Sequence, residues 1–214
     1  MKNQVDRTRY NMSFTAGAAL LNETCAVVKA LLECDGDWEA TQDKTFAENL
    51  MEKNKPSTMR RTFYLVKQRL MSLNVDELKV LSDGSVDEKR VVDLLAICKT
   101  HTFVFDFIAE VVRSCLYGLK DKVTQGEFNS FFNDKRYVHP ELEKITDKSV
   151  AKVRQVTFRI LEQLGIIDSA KNGIIHRPYV PSNVEKIIVK DNPYWLAIYL
   201  YTNEEIKRAN ESYE

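Results

Sequence analysis

Glycine and proline are scarce in this chain, which has seven glycines and five prolines among 214 residues. Proteins built from many short strands use both residues often at their turns, so the scarcity favours long helices. Histidine is rare too, with three copies, and the four cysteines form no Cys-x-x-Cys pair. The composition therefore favours a mainly all-α protein and offers none of the usual zinc-binding patterns.

The chain also lacks net charge, because 31 lysines and arginines balance 31 aspartates and glutamates. A neutral protein has little long-range attraction for nucleic acid, so any DNA site must be a local patch. The longest apolar runs, residues 103–112 and 194–201, are far shorter than a bilayer span. Residues 1–9 are polar and charged, unlike a secretory signal peptide. We therefore expect a cytoplasmic protein with reduced, buried thiols and no membrane contact.

Catalytic motifs are missing as well. The glycines stand singly, so there is no glycine-rich phosphate loop, and neither G-x-S-x-G nor H-E-x-x-H occurs. Cys98 and His101 are three residues apart on a predicted helix and could share a metal, but no other histidine has a matching spacing. We interpret Cys98 as a buried thiol and predict no metal, no cofactor and no enzymatic activity.

An abrupt reversal of charge is the clearest pattern that the chain does contain. Residues 33–48 carry six acidic side chains against one lysine, and residues 53–69 carry six basic side chains and no acidic one. The basic run enters an amphipathic helix predicted over 57–73, whose N-terminus would attract phosphate. We predict a DNA-contacting surface there, formed by Lys53, Lys55, Ser57, Thr58, Arg60, Arg61, Lys67 and Gln68.

A second basic row lies on the helix predicted from Asp147 to Leu164. Lysine, glutamine and arginine recur there at i, i+4, i+7 and i+11, opposite the apolar face. Lysine and arginine bind phosphate, whereas glutamine and arginine also read base edges. Asn172 and Gly173, between short apolar runs, predict a β-hairpin that follows this helix as a wing. The residues predicted to contact DNA in this half are Lys148, Lys152, Gln155, Arg159, Lys171 and Arg177.

Together these patterns predict a compact, mainly all-α globule with two helix-turn-helix units, the second followed by a small β-hairpin wing. We expect an N-terminal helical lobe over residues 1–120, and a winged-helix-like lobe over 121–214 that ends in a terminal helix. Local predictions include a loose segment at 1–12, helices over 15–32, 91–100 and 103–119, a polar connection at 74–90, and a capping box from Ser182 to Glu185.

The order of these motifs resembles the BrxA family, small core proteins of bacterial phage-exclusion (BREX) systems. The similarity extends from about Ser13 to the hairpin near Arg177. The motifs that carry it are SFTAGAALLNE at 13–23, Trp38, ENL at 48–50, STMRR at 57–61, RL at 69–70, FRIL at 158–161 and LG at 164–165.

This resemblance implies an all-helical protein with two helix-turn-helix units beside a positive surface. It implies binding of double-stranded DNA without catalysis, alongside other BREX proteins that include a site-specific methyltransferase and large ATPases. Carried over by position, Arg60, Arg61 and Arg159 are the implied DNA contacts. The zero net charge of this chain is a departure that bears on affinity.

Two further interpretations stay open, in which the basic helices bind something other than DNA. In one, the protein is an adaptor within the BREX complex whose basic faces dock on acidic partner surfaces, with aromatic side chains at 194–201 as anchors. In the other, the helical bundle binds RNA. The sequence does not decide whether both basic helices face one duplex, and we expect a monomer.

Overall fold

Residues 9–213 are described by a computed structural model in which the regular structure is helical, so the predicted all-α class is confirmed. Short 3-10 segments occupy Ser13–Ala16 and Pro193–Tyr199, and a π-helical segment, Phe107–Val112, joins the short helices Thr102–Asp106 and Arg113–Tyr117. In this part of the chain no helix combines the length and hydropathy that a membrane span requires. The α-helices are α1 (Leu21–Glu33), α2 (Trp38–Ala47), α3 (Pro56–Met71), α4 (Val75–Asp83), α5 (Val86–Thr100), α6 (Thr102–Asp106), α7 (Arg113–Tyr117), α8 (Gln125–Arg136), α9 (Pro140–Glu143), α10 (Asp147–Gln163), α11 (Ser182–Asp191) and α12 (Asn203–Tyr213).

The predicted β-hairpin wing is wrong, because residues 9–213 contain no β-strand. The chain after α10 does reverse direction tightly, with Gly173 in the left-handed region at a φ of 71°. The extended segments around this turn meet only at two isolated antiparallel bridges, Lys122 with Ile174 and Ile167 with Ile175. A single bridge between each pair of segments gives no ladder from which a strand could form.

A competing hydrogen bond explains why the ladder does not extend. The backbone N–H of Ile174 donates to the Asp168 carboxylate at 2.8 Å and is therefore not available to the Asp168 carbonyl across the turn. The N–H of Ile175 donates to the Asp121 carbonyl, also at 2.8 Å, and this bond forms the bridge of Lys122 with Ile174. Asp168 also accepts from the Asn172 side chain at 2.9 Å. The turn is therefore an Asp-centred loop, in which a side chain takes a donor that a hairpin would have used across the strands.

α5 is the central helix of the fold. Its residues from Val91 to Lys99 are buried on every side. α1, α3 and α4 pack against it, and so do α11 and Pro193–Tyr199 from the C-terminal part of the chain. The C-terminal region thus covers part of the core formed by the N-terminal helices.

A buried charge cluster fixes this contact. Lys99, only 6% exposed, binds Glu77 on α4 at 2.7 Å and Asp191 at the end of α11 at 2.9 Å. A buried lysine is tolerated only with close carboxylate partners, because an isolated charge in a protein interior is costly. The cluster therefore specifies how α4, α5 and α11 meet.

The polar connection predicted at 74–90 is wrong, since α4 and the first turn of α5 occupy it. Each helix begins with a reciprocal capping box: Asn74 with Glu77, and Ser85 with Glu88. In such a box the cap side chain and the Glu carboxylate each bind a free backbone N–H, which stabilises the start of a polar helix. The spacing of these residues was the available signal for both helices.

The helix predicted over 15–32 is also interrupted, and α1 begins only at Leu21. Leu20 adopts a left-handed conformation with φ 62°. The three preceding residues, 17–19, which we call the bridge segment, direct their backbone carbonyl oxygens at the Arg69 guanidinium. Arg69 on α3 thus satisfies the carbonyl oxygens of a segment that is not helical, and the left-handed Leu20 separates that segment from α1.

The sequence predicts a loose segment at residues 1–12. Residues 1–8 of that segment lie outside the described residues. Tyr10, by contrast, is buried and well anchored. Its hydroxyl donates to Asp106 at 2.6 Å, and its ring stacks on His139 with 3.9 Å between centroids. The prediction of a loose segment is therefore wrong from Tyr10 onwards.

Two predictions for the C-terminal region are also corrected. The capping box from Ser182 to Glu185 does not form, because no side chain caps α11 and Glu185 instead accepts from the Tyr201 hydroxyl at 2.5 Å. Trp195 and Tyr199, proposed as exposed anchors for a partner, are 7% and 0% exposed. These aromatic rings belong to the core and are not available to a partner.

Candidate nucleic-acid interface

The outer face of α10 carries the predicted row of Lys148, Lys152, Gln155 and Arg159, and all four side chains are exposed. The three cations form no ion pair with a carboxylate of residues 9–213; the Lys152 ammonium donates only to the Gln155 amide oxygen at 3.1 Å. From the first to the last residue the row spans about 16 Å of helix. It is therefore a positive ridge whose cations are ion-paired with no described carboxylate, and we call it the α10 ridge.

The local sequence accounts for the orientation of this ridge. Val153, Thr157 and Leu161 are buried on the opposite side of the helix. The Thr146 hydroxyl caps the N-terminus by accepting from Ser149, so the predicted cap at Asp147 is one residue too late. The apolar face packs inwards and leaves the basic row towards solvent.

Arg154 lies beside the ridge, and its guanidinium donates to Asn129 of α8 at 2.8 Å. The position of Arg154 on the helix, away from the basic row, predicts that it braces the fold, and the contact with Asn129 supports that prediction. Arg154 is only partly exposed and so differs from the fully presented cations of the α10 ridge. Position on the helix thus separates a structural arginine from the candidate DNA contacts.

The N-terminus of α3 is the second exposed positive feature. Its cap residue makes no side-chain capping bond, Pro56 is the first helical residue, and no acidic residue lies in the first turn. The free backbone N–H groups there point at solvent among hydroxyls and cations, an arrangement that favours phosphate. The exposed predicted residues of this surface are Lys55, Ser57, Thr58, Arg60 and Arg61.

Two of the predicted DNA contacts are neutralised within the fold. Lys53 binds Glu23 of α1 at 2.5 Å, and Arg177 binds Glu205 of α12 at 2.8 Å. The Arg177 guanidinium also lies 4.6 Å from the centre of the Tyr201 ring. Because a cation already paired with a carboxylate attracts phosphate weakly, these two residues contribute less to a positive surface than the α10 ridge.

The remaining predicted residues also include one with a contact inside the fold and two that are exposed to solvent. The Lys67 ammonium lies over the Trp38 ring, 5.0 Å from its centre, and the side chain is only partly exposed. Gln68 and Lys171 are exposed. Lys67 thus has a structural contact of its own, whereas the other two are available to a ligand.

Arg69, the last cation of the basic run, is entirely buried. Burial lowers its pKa to about 10, so the guanidinium keeps its charge at neutral pH. Burial also raises the pKa of Asp93 to about 7, an effect that the Arg69 charge opposes. The pKa of buried His101 falls to about 3, first through desolvation and then through the same positive charge.

The sequence did contain a signal for this buried arginine. Thr62, Leu65 and Arg69 recur at i, i+3 and i+7 on one side of α3, and all three are buried. A basic residue that continues a row of buried positions is a candidate for an internal role. Counting it with the exposed cations overestimated the positive surface of α3.

The two basic helices meet at the bridge segment. Arg69 of α3 binds its carbonyl oxygens, and the Ala19 N–H donates to the side-chain oxygen of Gln163, the last residue of α10, at 3.0 Å. Both helices also pack against Ser13–Ala16. Along each helix axis, Arg61 lies about 12 Å from Arg69 and Arg159 about 6 Å from Gln163. The C-terminal ends of the helices are therefore adjacent, and their basic N-terminal turns lie farther from this junction.

The possible metal pair is internal. Cys98 and His101 are both completely buried. Among residues 9–213, no group of three or more His, Cys, Asp or Glu side chains is arranged to hold a metal ion. The positive surfaces are thus the features of the described chain that suit a ligand.

Comparison with known proteins identifies the family. A family model described as BrxA matches residues 8–192. The chain belongs to the BrxA family. It is 24% identical over 172 residues to the BREX protein BrxA of Escherichia coli O9:H4 (strain HS), a match that covers 80% of this chain and 81% of that protein. It is 26% identical over 144 residues to the BREX protein BrxA of Bacillus cereus (strain H3081.97), covering 67% and 72% respectively.

A solved structure shares the fold of this BrxA-family chain. It is the crystal structure of an uncharacterized protein from Magnetospirillum magneticum, with a TM-score of 0.79 and 19% identity. The superposition covers 90% of this chain and 98% of that one. The family match confirms the resemblance to the BrxA family of BREX phage-defence systems.

Proposed function

We propose that this BrxA-family protein is a non-enzymatic, double-stranded DNA-binding component of its BREX system. The observation that carries the proposal is the α10 ridge, in which Lys148, Lys152 and Arg159 are exposed and unpaired with any described carboxylate. A row of cations about 16 Å long is long enough to contact several successive phosphates of a duplex. Gln155, between the cations, could also meet a base edge.

The order of elements supports a groove-facing role for α10. α8, the short α9 and then α10 follow one another as in a helix-turn-helix unit, where the last helix enters the major groove. The exposed N-terminus of α3 would contact the backbone of the same or a neighbouring duplex.

The expected affinity is modest. With about four to six phosphate contacts and no net charge on the protein, binding should be of the non-specific grade, roughly micromolar or weaker at physiological salt. It should weaken steeply as salt rises, because each phosphate contact releases condensed counterions. Sequence preference, if Gln155 supplies it, would be a small increment on this electrostatic binding.

Fluorescence anisotropy with a short labelled duplex at low salt tests the proposal. We expect Arg159→Ala to weaken binding about three- to tenfold on every DNA sequence, since it removes a backbone contact. The matched control is Arg177→Ala, which removes an arginine already paired with Glu205 and should change affinity little. Equal affinities for the wild-type protein and the Arg159 variant would contradict the proposal.

Competition between duplex DNA and duplex RNA of equal length separates the two nucleic acids. A groove-facing α10 should prefer DNA, because the deep and narrow major groove of A-form RNA does not admit a helix. If RNA competes as well as DNA, contact is limited to the phosphate backbone. If RNA competes better, the protein is an RNA-binding one.

A further inference from the structure

α3 presents a solvent-facing row that differs in character from the α10 ridge. Ser57, Arg61, Tyr64, Gln68 and Met71 recur at i, i+4, i+7, i+11 and i+14, which places them on one face, and all five are exposed. The first half of this row is polar and basic. The second half contains large apolar side chains and therefore has a chemistry of its own.

The exposure of this second half is substantial. Tyr64 and Met71 are each 57% exposed, and Val75, at the start of α4, is 64% exposed. The Tyr64 hydroxyl has no hydrogen-bond partner among residues 9–213. By contrast, the exposed large apolar side chains of the described chain include none on α10.

Phosphates offer nothing to these apolar groups, whereas a protein surface does. Tyrosine, methionine and arginine are residue types enriched at protein–protein interfaces, and the α3 row contains all three. Tyr64 and Met71 are two helical turns apart, about 10 Å, which is the spacing at which a second helix inserts its apolar side chains. Arg60 and Arg61, about one turn before Tyr64, make no ion pair with a described carboxylate.

We propose that the outer face of α3, formed by Arg61, Tyr64, Gln68 and Met71, docks an amphipathic helix of another protein of the BREX system. The docked helix would present apolar side chains to Tyr64 and Met71. Carboxylates at the end of that helix would lie over Arg61, because Arg61 makes no ion pair with a described carboxylate. The docked helix would thereby take Arg61 from the DNA-contacting N-terminus of α3, and it would leave the α10 ridge free to contact DNA.

The proposal is tested with the purified protein and the other proteins of its BREX system, each offered singly after nuclease treatment. We expect the wild-type protein to retain at least one of them in an affinity pull-down. The double variant Tyr64→Ser/Met71→Ser should weaken that binding at least tenfold, and Arg61→Ala should weaken it about three- to tenfold. Arg159→Ala, on the α10 ridge, is the matched control and should leave it unchanged.

DNA binding by the same variants gives the complementary measurement. Tyr64→Ser/Met71→Ser should keep wild-type DNA affinity within twofold, whereas Arg159→Ala should lose affinity. Because both altered side chains are exposed, the double variant should keep the circular dichroism and melting temperature of the wild type.

Three results would overturn the docking proposal while leaving the DNA proposal intact or even strengthened. The first is that no BREX protein binds the wild type once nucleic acid is removed. The second is that the double variant binds its partner as the wild type does. The third is that the double variant loses DNA affinity to the same extent as Arg159→Ala, which would make Tyr64 and Met71 nucleic-acid contacts.

Discussion

α3 and α10 read alike in the sequence, since each is an amphipathic helix with a run of cations opposite its apolar face. In the structure they are used differently. α10 keeps Lys148, Lys152 and Arg159 exposed and without an ion pair to a described carboxylate, whereas α3 buries Arg69 completely and places Lys67 over a tryptophan ring. The comparison shows that a cationic pattern identifies a helix with basic side chains, and that its neighbours determine how many remain available for binding.

Packing explains the difference. α3 contacts α1, α5 and Ser13–Ala16, so a residue on its flank such as Arg69 meets backbone carbonyls before it meets water. α10 instead contacts the bridge segment through Gln163, which lies beyond the α10 ridge, and the four residues of the ridge remain exposed. The predictions below test this contrast, beginning with the largest effect.

Arg69→Ala should be the most damaging of these substitutions. It removes the donor for the three carbonyl oxygens of the bridge segment and leaves buried polar groups without partners. We expect a loss of about 3–5 kcal/mol in the free energy of unfolding, measured by urea titration. Arg61→Ala, eight residues earlier on the exposed face, should change it by no more than about 0.5 kcal/mol. Similar losses for both would show that burial does not separate the two arginines.

The charge that Arg69 brings into the interior should also be visible in the pH dependence of stability. Asp93 has a folded pKa of about 7, raised from its unfolded value, so its contribution is full at low pH and is lost as pH rises through 7. His101 has a folded pKa of about 3, lowered from its unfolded value, so its contribution is full above about pH 6.5 and is lost as pH falls through 3. Between about pH 4 and 6.5 the two residues change the free energy of unfolding in opposite directions as the pH varies.

Asp93→Asn should therefore reveal the dependence of stability on pH that His101 causes and that Asp93 offsets in the wild type. Relative to the wild type, the variant should lose about 3 kcal/mol of unfolding free energy as pH falls from about 6.5 to about 4, at about 1.4 kcal/mol per pH unit. His101→Phe should show the opposite trend, with stability falling as pH rises over the same range. Urea titrations at several pH values measure both, and parallel profiles for the two variants would contradict this assignment.

The α10 ridge is expected to govern the salt dependence of DNA binding. Lys152→Ala/Arg159→Ala should reduce the slope of log K against log salt by about 1.8, since about 0.9 is lost for each phosphate contact. The control pair, Lys53→Ala/Arg177→Ala, removes two cations that are neutralised by Glu23 and Glu205 and should leave the slope almost unchanged. Anisotropy titrations over a range of salt concentrations would distinguish the pairs. If the control pair reduces the slope equally, ion pairing within the fold does not decide which cations bind DNA.

Lys67→Met should have the smallest effect. It removes the contact with the Trp38 ring, which is worth about 0.5–1 kcal/mol at an exposed site. We expect a melting temperature lower by a few degrees at most and a smaller change in DNA affinity than for Arg159→Ala. A fall in affinity as large as that of the Arg159 variant would place Lys67 among the DNA contacts.

Much of the helical architecture could be predicted, because amphipathic spacing and caps are local properties. The helices predicted over 57–73 and from Asp147 to Leu164 are found as α3 and α10, with boundaries that differ by no more than two residues. The errors arose where two local patterns favoured different structures. The many polar residues of 74–90 suggested a connection, although the capping boxes of α4 and α5 lie in that stretch. The Asn-Gly pair suggested a hairpin, whereas the Asp168 carboxylate binds a backbone N–H that the hairpin needs.

The sequence by itself determined the all-α class, the family and the two amphipathic helices with basic outer faces. Those features depend on the order of side chains within a few turns of one helix. Only the tertiary structure decided that Arg69 faces the interior, that Lys53 and Arg177 meet carboxylates, and that the α10 ridge meets none from residues 9–213. The physical reason is that exposure and charge pairing depend on residues far apart in the chain, which no local pattern of one helix contains.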